Sequence, residues 1–76
     1  MNEEEYFASR SGDDTNKLLR EYCRTFHGPY YNIEETGIHL SPAELRADLL
    51  HCLYHNKPKD QISQPGKHLI ELAHAN

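Results

Sequence analysis

Three stretches of the chain repeat their apolar residues with a helical period. Between Thr15 and His27, the side chains of Leu18, Leu19, Tyr22, Cys23 and Phe26 fall on one stripe of a wheel turning about 100° per residue. Lys17, Arg20, Arg24 and His27 gather on another side. The pattern predicts an amphipathic helix whose apolar stripe is buried and whose basic side faces water or a partner. Asp13, Asp14 and Thr15 offer capping oxygens at its start, and Gly28-Pro29 supplies a terminator.

A second helix is announced by Ser41-Pro42-Ala43-Glu44, a capping box with proline at the first helical position. Leu40 and Leu45 are placed to close a hydrophobic staple around it. The helix should run to about His55 and stop at Asn56-Lys57-Pro58. Leu45, Leu49, Cys52 and Leu53 form its apolar face, with Leu50 and Tyr54 at one edge. Glu44, Asp48, His51 and His55 recur at spacings of four, three and four and make a polar face. A third, shorter helix is predicted from about Lys67 to Ala75, with Leu69, Ile70, Leu72 and Ala73 turned inward. A helix of that length is unstable alone, so it has to dock on the other two.

The connections are less regular. Residues 57–66 read as a polar linker broken by Pro58, Pro65 and Gly66 around a single apolar Ile62. Residues 30–40 admit two readings. Tyr30, Tyr31 and Ile33, then Glu-Glu-Thr-Gly, then Ile38 and Leu40, form either a short hairpin or an irregular loop with its aliphatics tucked inward. The expected fold class is therefore mainly α: a small three-helix domain over residues 15–76, with an irregular or short β-hairpin connection between the first two helices.

Charge changes the picture at the N-terminus. The chain carries a formal net charge of −4. Residues 1–14 hold Glu3, Glu4, Glu5, Asp13 and Asp14 against Arg10 alone, and the remainder is balanced. The acidity thus belongs to one end, which is expected to be a flexible, solvated segment over residues 1–14. Tyr6 and Phe7 interrupt it and could dock on a partner.

Length and composition then narrow the function. A 76-residue chain buries only ~60% of its unfolded surface, which leaves little room for both a core and a large substrate cleft. About sixteen apolar side chains are available for that core. Apolar runs fall short of the ~18–20 residues of a membrane span, and the acidic start is unlike a secretory signal, so a cytoplasmic protein is expected. Cys23 and Cys52 are too few for a disulfide scaffold and read as small buried hydrophobes. Gln64-Pro65-Gly66-Lys67 lacks the glycine spacing of a phosphate loop, and neither cysteine has a glycine-rich turn aimed at it as a nucleophile would need. An enzyme is not expected.

Six histidines in so short a chain are the compositional anomaly. His51 and His55 lie one helical turn apart, as do Cys23 and His27. Packed side by side, these four residues could approach a tetrahedral zinc site, although tight Cys-x2-Cys spacing is absent. The simpler expectation is a solvated histidine face and no cofactor. Histidines in this number also permit a pH response, since their ordinary pKa is ~6.5.

The function expected from these features is a small non-catalytic regulator that binds a larger protein, for example transcription or nuclease machinery, and inhibits or modulates it. The candidate partner-binding residues are Lys17, Arg20, Arg24 and His27 on the basic stripe, together with the aromatic pairs Tyr6-Phe7 and Tyr30-Tyr31. Arginine and aromatic side chains anchor interfaces, and a basic stripe suits an acidic partner surface. Two alternatives stand beside it. A DNA-binding regulator of helix-turn-helix type would use the last two helices, but an isoelectric point near 5.8 lacks the basic footprint of a DNA reader. A small zinc-stabilised structural module would use Cys23, His27, His51 and His55.

Overall fold

The computed structural model describes residues 1–30 and 41–74. Among these residues the protein is helical, with four α-helices and no strand. Helix α1 spans Glu3–Ser9, α2 spans Thr15–Phe26, α3 spans Pro42–His55 and α4 spans Lys67–His74, with a 3-10 turn at Lys59–Gln61. Three of these helices are those predicted by periodicity. The fourth, α1, lies in the segment expected to be flexible. The hairpin reading of residues 30–40, with Tyr31, falls almost wholly outside the described residues.

Helix α1 forms because its ends are closed locally. Asn2 caps it, the Asn2 side chain accepting from the Glu5 backbone N–H at 2.8 Å while Glu5 reaches back to the Asn2 N–H at 3.1 Å. This is the same reciprocal capping that starts α3, where Ser41 and Glu44 exchange bonds of 3.2 and 3.1 Å. Glu3, Glu4 and Glu5 all sit in the first turn of α1, where the helix dipole favours negative charge. Seven residues are too few for an isolated helix, so docking must hold α1 in place. Phe7 provides it, with 1% of its surface exposed.

The turn from α1 to α2 is tied by arginines from both directions. Arg10 makes a bidentate pair with Glu21 at 3.0 and 2.6 Å, donates to the Tyr6 hydroxyl at 2.7 Å, and pairs with Asp13. Arg46, from α3, donates to the backbone carbonyls of Arg10 and Asp13. Asp14 then caps α2 by accepting from the Lys17 N–H at 2.7 Å. The far end of α2 closes with His27 in the left-handed region, one residue before the glycine expected to serve there.

Helix α3 is the centre of the molecule, packed on α2, α4 and α1. Its six consecutive residues from Ala47 to Cys52 are all buried. A helix covered all round is not amphipathic in the ordinary sense, and its polar residues must find partners indoors. The core consists of Phe7, Leu18, Tyr22, Ala47, Leu49, Leu50, Cys52 and Ala73, so all four helices contribute. Tyr22 packs tilted against Phe26 and edge to face with Tyr30, with ring centroids 4.7 and 5.4 Å apart. Cys23, expected beside them, is exposed instead. It sits at the border of the stripe, and Leu18 and Tyr22 take the buried centre.

Candidate functional site

Two features of the fold bear on function: the polar side of α3 and the outward face of α2. The polar side of α3 is not solvated as expected. Asp48 and His51 are buried, and the face divides into two partnered sets. Asp48 accepts from the Tyr30 hydroxyl and from Lys59 Nζ, the latter at 2.8 Å. Tyr22 completes this end by accepting from the Lys59 backbone N–H at 2.9 Å. Burial and the Asp48 carboxylate push the Tyr30 phenol well above its ordinary range. Burial also pushes the Cys52 thiol up to about 12, so this cysteine stays protonated and unreactive. A neighbouring cleft lined by Glu44, Asp48, Gln64, Pro65 and Ile70 has about 10 Å³ of internal space, enough for one water.

The other end of the face receives α1. His51 and His55 direct their rings at Glu3, whose two carboxylate oxygens divide between them. Oε2 meets His51 Nδ1, and Oε1 meets His55 Nε2 at 3.1 Å. A carboxylate only accepts, so each ring presents its N–H. The two imidazoles lie edge to face, 4.6 Å between centroids, and Tyr54 stands against His55 at 5.0 Å. Tyr54 also donates to the Met1 carbonyl at 2.9 Å and packs on Tyr6 at 5.5 Å. Glu4 extends the seam to α4, its carboxylate 3.3 Å from His68. The histidine face is therefore the seat of the acidic helix.

This arrangement differs from the zinc set expected of Cys23, His27, His51 and His55. The third group beside His51 and His55 is Glu3, and the ligand atoms of these three residues lie within 4.8 Å of one another. Cys23 and His27 are exposed on α2 and do not join them. The missing signal was present in the sequence, since Asn2-x-x-Glu5 is a capping pattern of the kind used to place α3. It was obscured because three consecutive glutamates resemble a solvated tail.

The partner-binding candidates separate in the same way. Lys17, Arg20, Arg24 and His27 are exposed on α2. Lys17 is held by Asp13 at 2.9 Å, whereas the side chains of Arg20 and Arg24 make no hydrogen bond or ion pair with another described residue. Phe7 is in the core and cannot dock on a partner in the folded chain. Tyr30 is turned in to Asp48 and Tyr22, and Tyr6 is half-buried between Arg10 and Tyr54. Both pairs were expected at the surface because loop and terminal aromatics lack a helical period that would show which way they face. Tyr31 lies outside the described residues.

Among the described residues, no helix is long and apolar enough to cross a membrane. The chain matches no protein-family model, no curated protein and no solved structure.

Proposed function

We propose that the protein is a small non-catalytic regulator that binds a larger protein through the outward face of α2 and inhibits or modulates it. The observation that supports this reading is the pair Arg20 and Arg24. They are exposed, one helical turn apart, and their side chains are unpartnered among the described residues, with exposed Lys17 one turn earlier and exposed His27 at the cap that ends the helix. Guanidinium groups recognise carboxylates with two parallel hydrogen bonds, so the matching surface is acidic. The carboxylates of residues 1–14 do not neutralise these arginines, because each engages another group. The same reading places the protein in the cytoplasm, where Cys23 and Cys52 remain reduced.

The test is co-purification from the cell of origin with the wild-type chain and with the double variant Arg20→Glu/Arg24→Glu. One partner is expected with the wild type, lost on charge reversal, and released from the purified complex by raised salt. A partner retained in full by the double variant would contradict the assignment of this face.

A further inference from the structure

We propose that Glu3, His51 and His55 form a binding site for one divalent transition-metal ion of the zinc type, with a further coordination position open to water or to a partner's side chain. The claim is independent of the α2 surface and uses no residue from it. Two imidazole nitrogens and one carboxylate oxygen, converging within 4.8 Å, are a recurrent donor set for zinc. Tetrahedral bonds of ~2.0–2.1 Å place ligand atoms ~3.3 Å apart, so small side-chain rotations separate the close contacts and draw in the wider one. Two nitrogen donors select zinc, cobalt or nickel over magnesium and calcium, which prefer all-oxygen sets.

The surroundings favour an ion at this point. His51 and Glu3 are largely enclosed, with side chains 11% and 18% exposed, while His55 is 39% exposed. The inner side of the site is thus closed and the His55 side gives a path for entry. Each ring N–H points at an oxygen of Glu3. A bound cation takes the place of those two protons, and each ring then carries its proton on the other nitrogen. A separate histidine–glutamate contact, His68 with Glu4, has both side chains more than 60% exposed and has no third ligand among the described residues. It offers a natural contrast.

The consequence of binding follows from where the ligands sit. Glu3 belongs to a seven-residue helix, and His51 is 48 residues away in the chain. An ion held by both fastens α1 to the central helix and raises the stability of the docked state by mass action.

Titration of the full chain with Zn²⁺ alone, followed by calorimetry, gives the direct test. One ion per chain is expected, with affinity lowered roughly tenfold or more in Glu3→Gln and in His55→Gln. His74→Gln should bind as the wild type does. Circular dichroism on each variant reports whether its helices persist. Independently of any variant, Co²⁺ added to the wild-type chain should perturb the nuclear resonances of Glu3, His51 and His55 first. Absence of saturable binding, undiminished binding in Glu3→Gln, or Co²⁺ effects centred on His68 or His74 would each overturn the proposal.

Discussion

Five carboxylates lie within residues 1–14, and each engages a group inside the fold. Glu3 meets His51 and His55, Glu4 meets His68, Glu5 closes the cap of α1, Asp13 holds Arg10 and Lys17, and Asp14 caps α2. A few residues further on, α2 carries Arg20 and Arg24 with no such partner among the described residues. The two regions are oppositely charged, net −4 over residues 1–14 and net +2 over α2, where Lys17, Arg20 and Arg24 stand against Glu21. They differ in what surrounds them. The acidic groups occupy helix starts and face histidines, where negative charge has local work. Arg20 stands mid-helix and Arg24 in the last turn of α2, both on an outward face where neither side chain meets a partner among the described residues. Local charge density thus says little about which charges are available to another molecule.

The largest expected effect comes from the apolar anchor of the acidic region. Phe7→Ala removes a fully buried ring and should cost ~3–5 kcal/mol in chemical unfolding, against about 1 kcal/mol for Arg20→Glu/Arg24→Glu, where Arg24 lies in the last turn of α2. Similar costs for the two variants would erase the distinction between the regions. Next comes Arg10→Ala, which breaks the bidentate pair with Glu21 and the contacts to Asp13 and Tyr6. Hydrogen bonds between partly exposed charged groups suggest a loss of about 1–2 kcal/mol, read as a lower unfolding midpoint.

How far these differences were visible in the residues depends on the element. The capping box at Ser41 fixes the start of α3, and the observed helix, Pro42–His55, matches its expected span. The period of Leu18, Tyr22 and Phe26 located α2 equally well. What periodicity could not supply was the solvent exposure of α3's polar side. For His51 that property depends on α1, which is marginal except when docked, and for Asp48 it depends on Tyr30 and Lys59. Asp48 and His51 therefore read as surface residues until Lys59, Tyr30 and Glu3 are placed around them. Cys23 failed for a smaller reason, since a residue at the edge of a stripe goes in or out according to the shape of the neighbouring helix.

Acid titration gives a smaller and more graded contrast. Hydrogen bonds from Arg10 and Lys17 hold the Asp13 carboxyl below its ordinary 3.8, and those from Ser41 hold Glu44 below 4.5. A carboxyl depressed in the folded state contributes stability in full above its unfolded value. The contribution is lost as the pH falls through the lower folded one. Unfolding midpoints measured down to about pH 3 should therefore fall less steeply in Asp13→Asn than in the wild type. An identical acid limb would mean that Asp13 is free in solution.

The smallest stability change belongs to the α2 face. Cys23→Ser should change the unfolding free energy by no more than ~0.5 kcal/mol. In the wild type a thiol reagent should label Cys23 promptly and reach Cys52, buried with its pKa near 12, only through unfolding. Equal labelling of the two thiols would place Cys23 inside or Cys52 outside.

Amide hydrogen exchange across α1 tests most directly that the acidic segment is an integral helix. The Tyr6 and Arg10 amides donate to the carbonyls of Asn2 and Tyr6 at 3.0 and 3.1 Å. Their exchange should be slowed well below the unfolded rate, in step with amides of α3. Exchange of both at unfolded-chain rates, while α3 stays protected, would contradict a docked α1 and return residues 1–14 to a solvated tail.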